Sequence, residues 1–165
     1  MRLRHLRLQK VVLGCALGAI LAAGGLSPTA NAAEPTSQQQ ALREIYKELV
    51  EINTTDSVGD TVKSAEAMAA RLRASGIPAA DIRVISSGPR KGNMVARLRG
   101  TGARKPILLI AHMDVVEAKR EDWAFNPFKL QEVDGFFRAR GSFDDKAMAS
   151  IFVANLIECQ GGLQA

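Results

Sequence analysis

Two groups of side chains in this chain could do chemistry together. His112 and Asp114 follow the wholly apolar run Pro106–Ala111, and the acidic pair Asp144-Asp145 comes later in the chain. Imidazole nitrogen and carboxylate oxygen are both natural ligands of Zn²⁺. The pattern therefore suggests a metal site assembled from two separate segments.

Each half of this pattern also has an ordinary structural interpretation. His112 and Asp114 could be only a hydrogen-bonded structural pair, and two such close neighbours cannot easily bind one ion with good geometry. Asp114 is better suited to orient the histidine ring, while Asp144 joins His112 at the metal or bridges two ions. The acidic pair with Lys146 could instead be a charge cluster at a helix N-terminus, where the helix dipole favours acidic side chains.

The elements around these residues predict an α/β layer fold. A continuous apolar run such as Pro106–Ala111 is typical of a parallel strand buried on both faces. Ligands of open α/β sheets bind beyond the carboxyl ends of such strands, which is where His112 stands. The helix Lys146–Cys159 is apolar nearly all round and is expected to be buried. A sheet packed on that helix should continue, so the sequence looks unfinished.

Helices and turns before the apolar run are signalled by periodicity and by turn residues. An amphipathic helix is predicted from about Ser37 to Ile52, followed by a loop over Asn53–Asp60. A second helix begins near Thr61, and Gly76 is placed to end it in a left-handed conformation.

Hairpins are predicted on either side of the apolar run. Strands are predicted over Ile82–Ile85 and Met94–Arg99, with a turn over Gly88–Gly92 between them. The segment Gly100–Lys105 is predicted to be a hairpin connection from the second of these strands to the apolar strand. A second hairpin turns at Asp134-Gly135, which is a strong two-residue turn signal. Trp123 lies in the irregular stretch between, either as a wall of the site or simply packed onto the domain.

Charge and leader composition limit the class of protein. The formal charge of +5 is concentrated in residues 1–32, which contain four of the 22 basic residues and no acidic one. The rest of the chain is nearly neutral, so nucleic-acid binding is not expected. Residues 1–32 combine a basic start, an apolar segment and Ala30-Asn31-Ala32, the pattern of a cleaved secretory signal. We therefore expect an exported protein, periplasmic or secreted, without a stable membrane anchor after cleavage.

Two motif blocks resemble a known family. Ala111-His112-Met113-Asp114-Val115-Val116, with the Trp123–Phe128 segment, and Arg140-Gly141-Ser142-Phe143-Asp144-Asp145-Lys146 are similar to the first signature blocks of the dinuclear zinc peptidases and deacylases. This family includes aminoacylase, acetylornithine deacetylase, succinyl-diaminopimelate desuccinylase and glutamate carboxypeptidase. The resemblance extends from about Gln40 to Glu158.

The resemblance implies a fold, a cofactor and a reaction. The fold would be a three-layer mixed sheet with helices on both faces, of which 33–165 is the N-terminal portion. His112 would bind one of two zinc ions, Asp144 would bridge both, and Asp114 would be the catalytic-site aspartate that orients His112; cobalt or manganese could replace zinc. Asp145, Lys146 and Trp123 would be neighbours of the site. The reaction would be hydrolysis of a small peptide or an N-acyl amino acid by zinc-activated water.

The resemblance also implies what this chain lacks. The family's general-base glutamate, its later ligands and its lid and dimerisation domain all follow these blocks. We therefore expect a weakly active or inactive fragment, with a homodimer possible only for a complete chain. The alternative is an exported fragment or binding module without enzymatic role. Ala139 and Ala147 stand where family members usually have glycine, and each adds one methyl group.

Overall fold

The computed structural model describes residues 34–164, which form three helices and two small antiparallel sheets. The predicted signal segment 1–32 lies outside the described residues. The elements, in chain order, are α1 (Ser37–Glu51), α2 (Thr61–Ala74), β1 (Ile82–Gly88), β2 (Lys91–Ala96), β3 (Gln131–Val133), β4 (Phe136–Arg138) and α3 (Lys146–Gln164). Within residues 34–164, none of the helices has both the length and the apolar character that a membrane crossing requires.

Helices α1 and α2 begin where local side chains satisfy their free backbone N–H groups. Thr36 and Gln39 form a reciprocal capping box at the start of α1, and the Asp60 side chain accepts from the backbone N–H of Lys63 at the start of α2. Gly76, with φ of 93°, follows α2 in the left-handed conformation. The predictions of both helices and of the glycine cap are confirmed.

The core lies where the three helices and the first hairpin meet. α1 packs on α3, and α2 contacts the β1–β2 hairpin as well as both other helices. The buried side chains of this core are Ile45, Leu49, Met68, Ala69, Leu72, Ile77, Ile82, Ala149 and Val153. α3 is less buried than its sequence predicts, because Met148 and Ile151 remain on an exposed face.

The strands predicted on either side of the Gly88 turn and of Asp134-Gly135 form two hairpins, although the second strand of the first hairpin runs over Lys91–Ala96 rather than Met94–Arg99. β1 pairs with β2 from Ile82 opposite Ala96 onward, and β3 pairs with β4. Asp134 and Gly135 both have positive φ, at 54° and 77°, as a two-residue hairpin turn of mirror-image type requires. This second hairpin leads directly into the segment that carries Asp144.

The apolar run Pro106–Ala111 differs from its predicted role. Among the described residues it pairs with no strand and forms no regular element. Ile107 is 85% exposed and Leu108 81% exposed. A strand is buried on both faces only when neighbouring strands and covering helices surround it, so the prediction of a buried strand is wrong for the described structure. The same lack of a partner strand means that Gly100–Lys105 does not connect two strands. The α/β class itself is confirmed, with sheets of two strands each.

Leu49 provides a test of the core. Its side chain is 0% exposed, so Leu49→Ala should lower the free energy of unfolding by about 2–5 kcal/mol through lost burial and the cavity left behind. Met148→Ala, on the exposed face of α3, should change it by only about 0.5 kcal/mol. Urea unfolding followed by circular dichroism measures both, and equal destabilisation by the two variants would contradict this core assignment.

The exposed apolar run provides a second test. An unpaired segment that exposes several large apolar side chains is prone to associate with another copy of the chain. We expect Leu108→Lys with Ile110→Lys to shift the sedimentation-velocity distribution toward the monomer. Val58→Lys places the same charge on another exposed apolar residue and should leave the distribution unchanged. Monomeric behaviour of the unsubstituted chain would show that the run does not drive association.

Candidate metal centre

The segment Ala111–Val115, which is the His112 ribbon, has two different sides. Ala111 and Met113 pack against the core, and Val115 is buried. The alternate residues, His112 and Asp114, are exposed on the opposite side. Because side chains of an extended chain alternate between faces, the spacing of His112 and Asp114 places both on the side away from the core.

His112 is held through both ring nitrogens. Nδ1 lies 3.1 Å from the backbone carbonyl oxygen of Asp114, and Nε2 lies 2.9 Å from Oδ1 of Asp144. A carbonyl oxygen can only accept, so Nδ1 donates to it and Nε2 is the nitrogen directed at Asp144. The Asp114 carboxylate is slightly further from Nδ1, at 3.4 Å. Asp114 thus orients the ring more through its backbone than through its side chain.

The charges around His112 favour its protonated form when no cation is present. Partial burial acts to lower the pKa of His112, but the contacts with the Asp144 side chain and the Asp114 carbonyl, and the two negative charges, outweigh it and raise the pKa above its ordinary value. The half-exposed ring therefore sits in a negative environment. Such an environment is equally suited to a proton or to a metal cation.

The loop that carries Asp144 is fixed by contacts on both of its sides. The backbone N–H of Arg140 donates to the Pro127 carbonyl at 2.8 Å, and the Tyr46 hydroxyl donates to the Ser142 carbonyl at 2.7 Å. Gly141 has φ of 74°, and a Cβ there would lie only 2.5 Å from a methyl carbon of Val115. Only glycine allows this close approach of the loop to the His112 ribbon.

The two alanines that depart from the family's glycines pack near this loop. Ala139 is buried with Tyr46 and Val50, and Ala147 packs against the same cluster. Their methyl groups therefore contribute to a small satellite core beneath the site.

Asp145 and Lys146 are near the site but directed elsewhere. Oδ2 of Asp145 accepts from the backbone N–H of His112 at 3.4 Å. Lys146 is 0% exposed, and its ammonium group donates to the carbonyl of Ile52 at 2.7 Å. Lys146 is therefore more than a solvated charge at a helix N-terminus, because it joins the start of α3 to the end of α1.

Trp123 contacts a residue of the site's cleft without lining the cleft itself. An open cleft of ≈ 280 Å³ is lined by His112, Asp114, Val115, Val116, Ala139, Arg140, Gly141, Ser142, Phe143 and Asp144. Trp123 does not line this cleft, but the Arg140 guanidinium lies over its ring at 5.1 Å from the centroid. Phe125 packs edge-on against the same ring. Trp123 thus packs against Arg140, a residue that lines the cleft. It is neither a wall of the cleft nor only a side chain packed onto the domain.

The distance between the His112 and Asp144 ligand atoms is close to the distance that two ligands of one metal ion would have. Adjacent ligand atoms of a tetrahedral zinc site are about 3.3 Å apart, given bond lengths near 2.0–2.1 Å. Nε2 and Oδ1 are 2.9 Å apart, so a small outward movement would admit the ion between them. In the part of the chain that the structure describes, no group of three or more His, Cys, Asp or Glu side chains could hold a metal. The donor chemistry fits zinc, but the ligand set is incomplete in these residues.

Thr54 contacts the backbone that carries this site, which the sequence does not reveal. It lies in the stretch predicted only as a loop, yet it is 1% exposed and its hydroxyl donates to the Met113 carbonyl at 2.6 Å. A threonine in a polar loop gives no signal of such a contact, because its partner lies far away in sequence.

Comparisons with known proteins connect these residues to one family. Residues 108–162 match the model of peptidase family M20/M25/M40. The probable succinyl-diaminopimelate desuccinylase of Staphylococcus epidermidis is 39% identical over 80 residues, which are 47% of this chain and 19% of that protein. The acetylornithine deacetylase of Vibrio campbellii is 33% identical over 115 residues, which are 66% of this chain and 29% of that protein.

A solved structure shows the same fold. The di-peptidase Dug1p of Saccharomyces cerevisiae superposes with a TM-score of 0.60 at 23% identity, over 76% of this chain and 30% of that chain. This chain therefore spans less than a third of the length of each of these three proteins. The resemblance indicated by the two motif blocks is confirmed.

The buried ammonium group of Lys146 predicts a pH dependence of stability. Burial lowers the pKa of Lys146 from 10.5 to about 8, although the charge of Asp114 opposes this. Between these two pH values the unfolded chain keeps the proton that the folded chain has lost. The free energy of unfolding should therefore rise with pH across this window, by at most about 3 kcal/mol.

Lys146→Met tests this prediction by difference. Unfolding free energies of both proteins are measured at several pH values from 8 to 10.5, and contributions from groups common to both cancel. The difference between the two proteins should change across the window. Parallel pH profiles would contradict the assignment of a buried, readily deprotonated Lys146.

Proposed function

Because residues 108–162 carry the pattern of peptidase family M20/M25/M40, we propose that this chain is part of a metal-dependent hydrolase of peptide or N-acyl amide bonds. One observation carries the proposal above the others. Side chains from the family's two motif blocks, His112 and Asp144, meet with 2.9 Å between Nε2 and Oδ1. They meet in a cleft rather than in the core, so a substrate can reach them.

Each residue of the site has a distinct role in this proposal. His112 and Asp144 would hold zinc, and the Asp114 carbonyl would keep the His112 proton on Nδ1 so that Nε2 is available as a ligand. When bound, the zinc would lower the pKa of a water molecule and polarise the carbonyl of the scissile bond. Asp144 is the residue suited to bridge a second ion, since its exposed carboxylate has two oxygens.

The names of the matching proteins support a proposal for the substrate class. The matching proteins are named as a desuccinylase, a deacetylase and a di-peptidase. We infer that the substrate is a small peptide or an N-acyl amino acid, and that nucleic acid is not a partner. Carboxypeptidase-type action, export by the 1–32 segment and a homodimer of the complete protein belong to the same proposal.

One observation favours a second candidate function. Among the described residues only two side chains converge as metal ligands, whereas a catalytic zinc usually has three protein ligands. A non-catalytic exported fragment, or a binding module built on the same fold, is therefore the alternative.

Metal binding by the chain tests the site itself. Titration with Co²⁺, followed by visible absorption and calorimetry, should show binding that His112→Ala and Asp144→Asn each weaken by about 100-fold or more, a loss at least as large as that from removing a supporting residue. Asp122→Asn removes an exposed carboxylate away from the cleft and should have no effect. Equal affinity in all four proteins would place the metal elsewhere.

Turnover separates the two candidate functions. The metal-loaded chain is incubated with N-acetyl and N-succinyl amino acids and with dipeptides, and the free amine released is measured. Hydrolysis that is lost with a chelator or with Asp144→Asn supports the hydrolase. Metal binding without any release of amine supports the non-catalytic alternative.

A further inference from the structure

We propose that Thr54 is a positioning residue for the metal centre, because the loop residues Ile52–Thr54 hold both halves of the site at a fixed separation. This inference rests on the proposed metal site. Thr54 touches neither the cleft nor the two ligands, so its effect must pass through the backbone around Asp114.

Thr54 makes two hydrogen bonds to the backbone on either side of Asp114. Its hydroxyl donates to the Met113 carbonyl at 2.6 Å, and its own carbonyl accepts from the N–H of Val115 at 3.3 Å. These two groups belong to the successive peptide units that flank the Asp114 Cα. Both units are therefore held from the same side by one buried residue.

The second of these peptide units is the one that orients His112. In a trans peptide the N–H and the C=O point in opposite directions. In the unit between Asp114 and Val115, the N–H donates to the Thr54 carbonyl, and the C=O accepts from Nδ1 of His112. Thr54 thus fixes the carbonyl that sets the direction of the imidazole, and with it the direction of Nε2.

The same loop also holds the segment that carries Asp144. The carbonyl of Ile52, at the C-cap of α1, accepts from the buried ammonium group of Lys146 at 2.7 Å. Lys146 begins α3, two residues after Asp144. His112 and Asp144 are therefore tied to neighbouring residues of one short loop, although 32 positions separate them in sequence.

The loop that provides this support is closed by its own hydrogen bonds. The N–H of Asp60 donates to the Asn53 carbonyl at 2.9 Å, and the N–H of Gly59 donates to the Thr55 carbonyl at 3.0 Å. A Cβ on Gly59 would lie 2.2 Å from the Thr55 nitrogen, so the turn is closed as tightly as glycine permits. We therefore expect a change in the Thr54 side chain to move the His112 ribbon rather than the loop.

The experiment compares three variants with the unsubstituted full chain. Thr54→Val keeps the shape of the side chain but removes the hydroxyl, and Thr54→Ser keeps the hydroxyl. Thr55→Val is the matched control, since Thr55 is also buried but its hydroxyl, within residues 34–164, hydrogen-bonds only to the side chain of Asn53. Co²⁺ affinity and the visible spectrum of bound Co²⁺ are measured for each protein, with thermal unfolding to check the fold.

We expect Thr54→Val to weaken Co²⁺ binding by about tenfold or more, as removal of residues that support metal ligands does. Its cobalt spectrum should also shift, which a general loss of stability would not cause. Thr54→Ser and Thr55→Val should stay within about twofold of the unsubstituted chain, well short of that loss. Equal affinity and an identical spectrum for Thr54→Val would overturn the inference.

A metal-free measurement keeps this inference separate from the proposed function. The ¹⁵N imidazole signals of His112, assigned with His112→Ala, report which ring nitrogen carries the proton. They should change in Thr54→Val and not in Thr55→Val. If the unsubstituted chain binds no Co²⁺, the proposed function fails, while the imidazole signals still decide the role of Thr54. Unchanged signals in Thr54→Val would refute it.

Hydrogen exchange in the unsubstituted chain covers the case in which Thr54→Val does not fold. The amide of Val115, which donates to Thr54, should exchange about tenfold more slowly than that of Val116, as hydrogen-bonded amides in ordered segments do. Equal exchange of the two amides would show that Thr54 does not hold this peptide unit.

Discussion

The hydrogen bond from the buried Lys146 ammonium group to the Ile52 carbonyl is the contact on which the site's arrangement depends most. A buried charge is costly unless it is hydrogen-bonded, and the carbonyls at the end of a helix carry the negative end of its dipole. The end of α1 therefore offers the ammonium group the partner that it needs. Because Lys146 is also the first residue of α3, this contact determines how α3 meets α1 and where Asp144 emerges.

One side of the His112 ribbon packs on the core, and the other side presents the site residues. Ala111 and Met113 contribute to the core, while His112 and Asp114 face the cleft. Alternation alone produces this division, so no special backbone geometry is needed to present the histidine. The cost of the arrangement is that the ribbon has few strand-type hydrogen bonds of its own. Its position is set by the loop after α1 and by the close approach of Gly141.

The features that could be predicted from the sequence are those whose signals are local. The helices follow from apolar periodicity, from capping residues and from Gly76, and the second hairpin follows from Asp134-Gly135. The pairing of His112 with Asp144 could be predicted from chemistry instead. Few side-chain types can bind zinc, and His112 is the single histidine after residue 32. The structure places the two atoms at hydrogen-bond distance, which the sequence alone could not establish.

The features that could not be predicted depend on partners distant in sequence. The apolar run Pro106–Ala111 has the composition of a buried strand, but burial requires neighbours, and the described residues provide none. Lys146 has the residue type of a surface side chain, and nothing nearby in sequence marks it as fully buried. The role of Thr54 is not visible in the sequence either, since its two hydrogen-bond partners lie 59 and 61 positions further along the chain.

The contact between Gly141 and Val115 has a consequence for how this protein can vary. Any side chain at position 141 would meet the Val115 methyl group at 2.5 Å and would also require an unfavourable backbone conformation. Relief would have to come from the ribbon that bears the histidine, so one replacement in the aspartate loop would disturb both ligand-bearing segments at once. The aspartate loop and the His112 ribbon therefore cannot change independently at this contact. A substitution of Gly141 would be tolerated only with a compensating change at Val115.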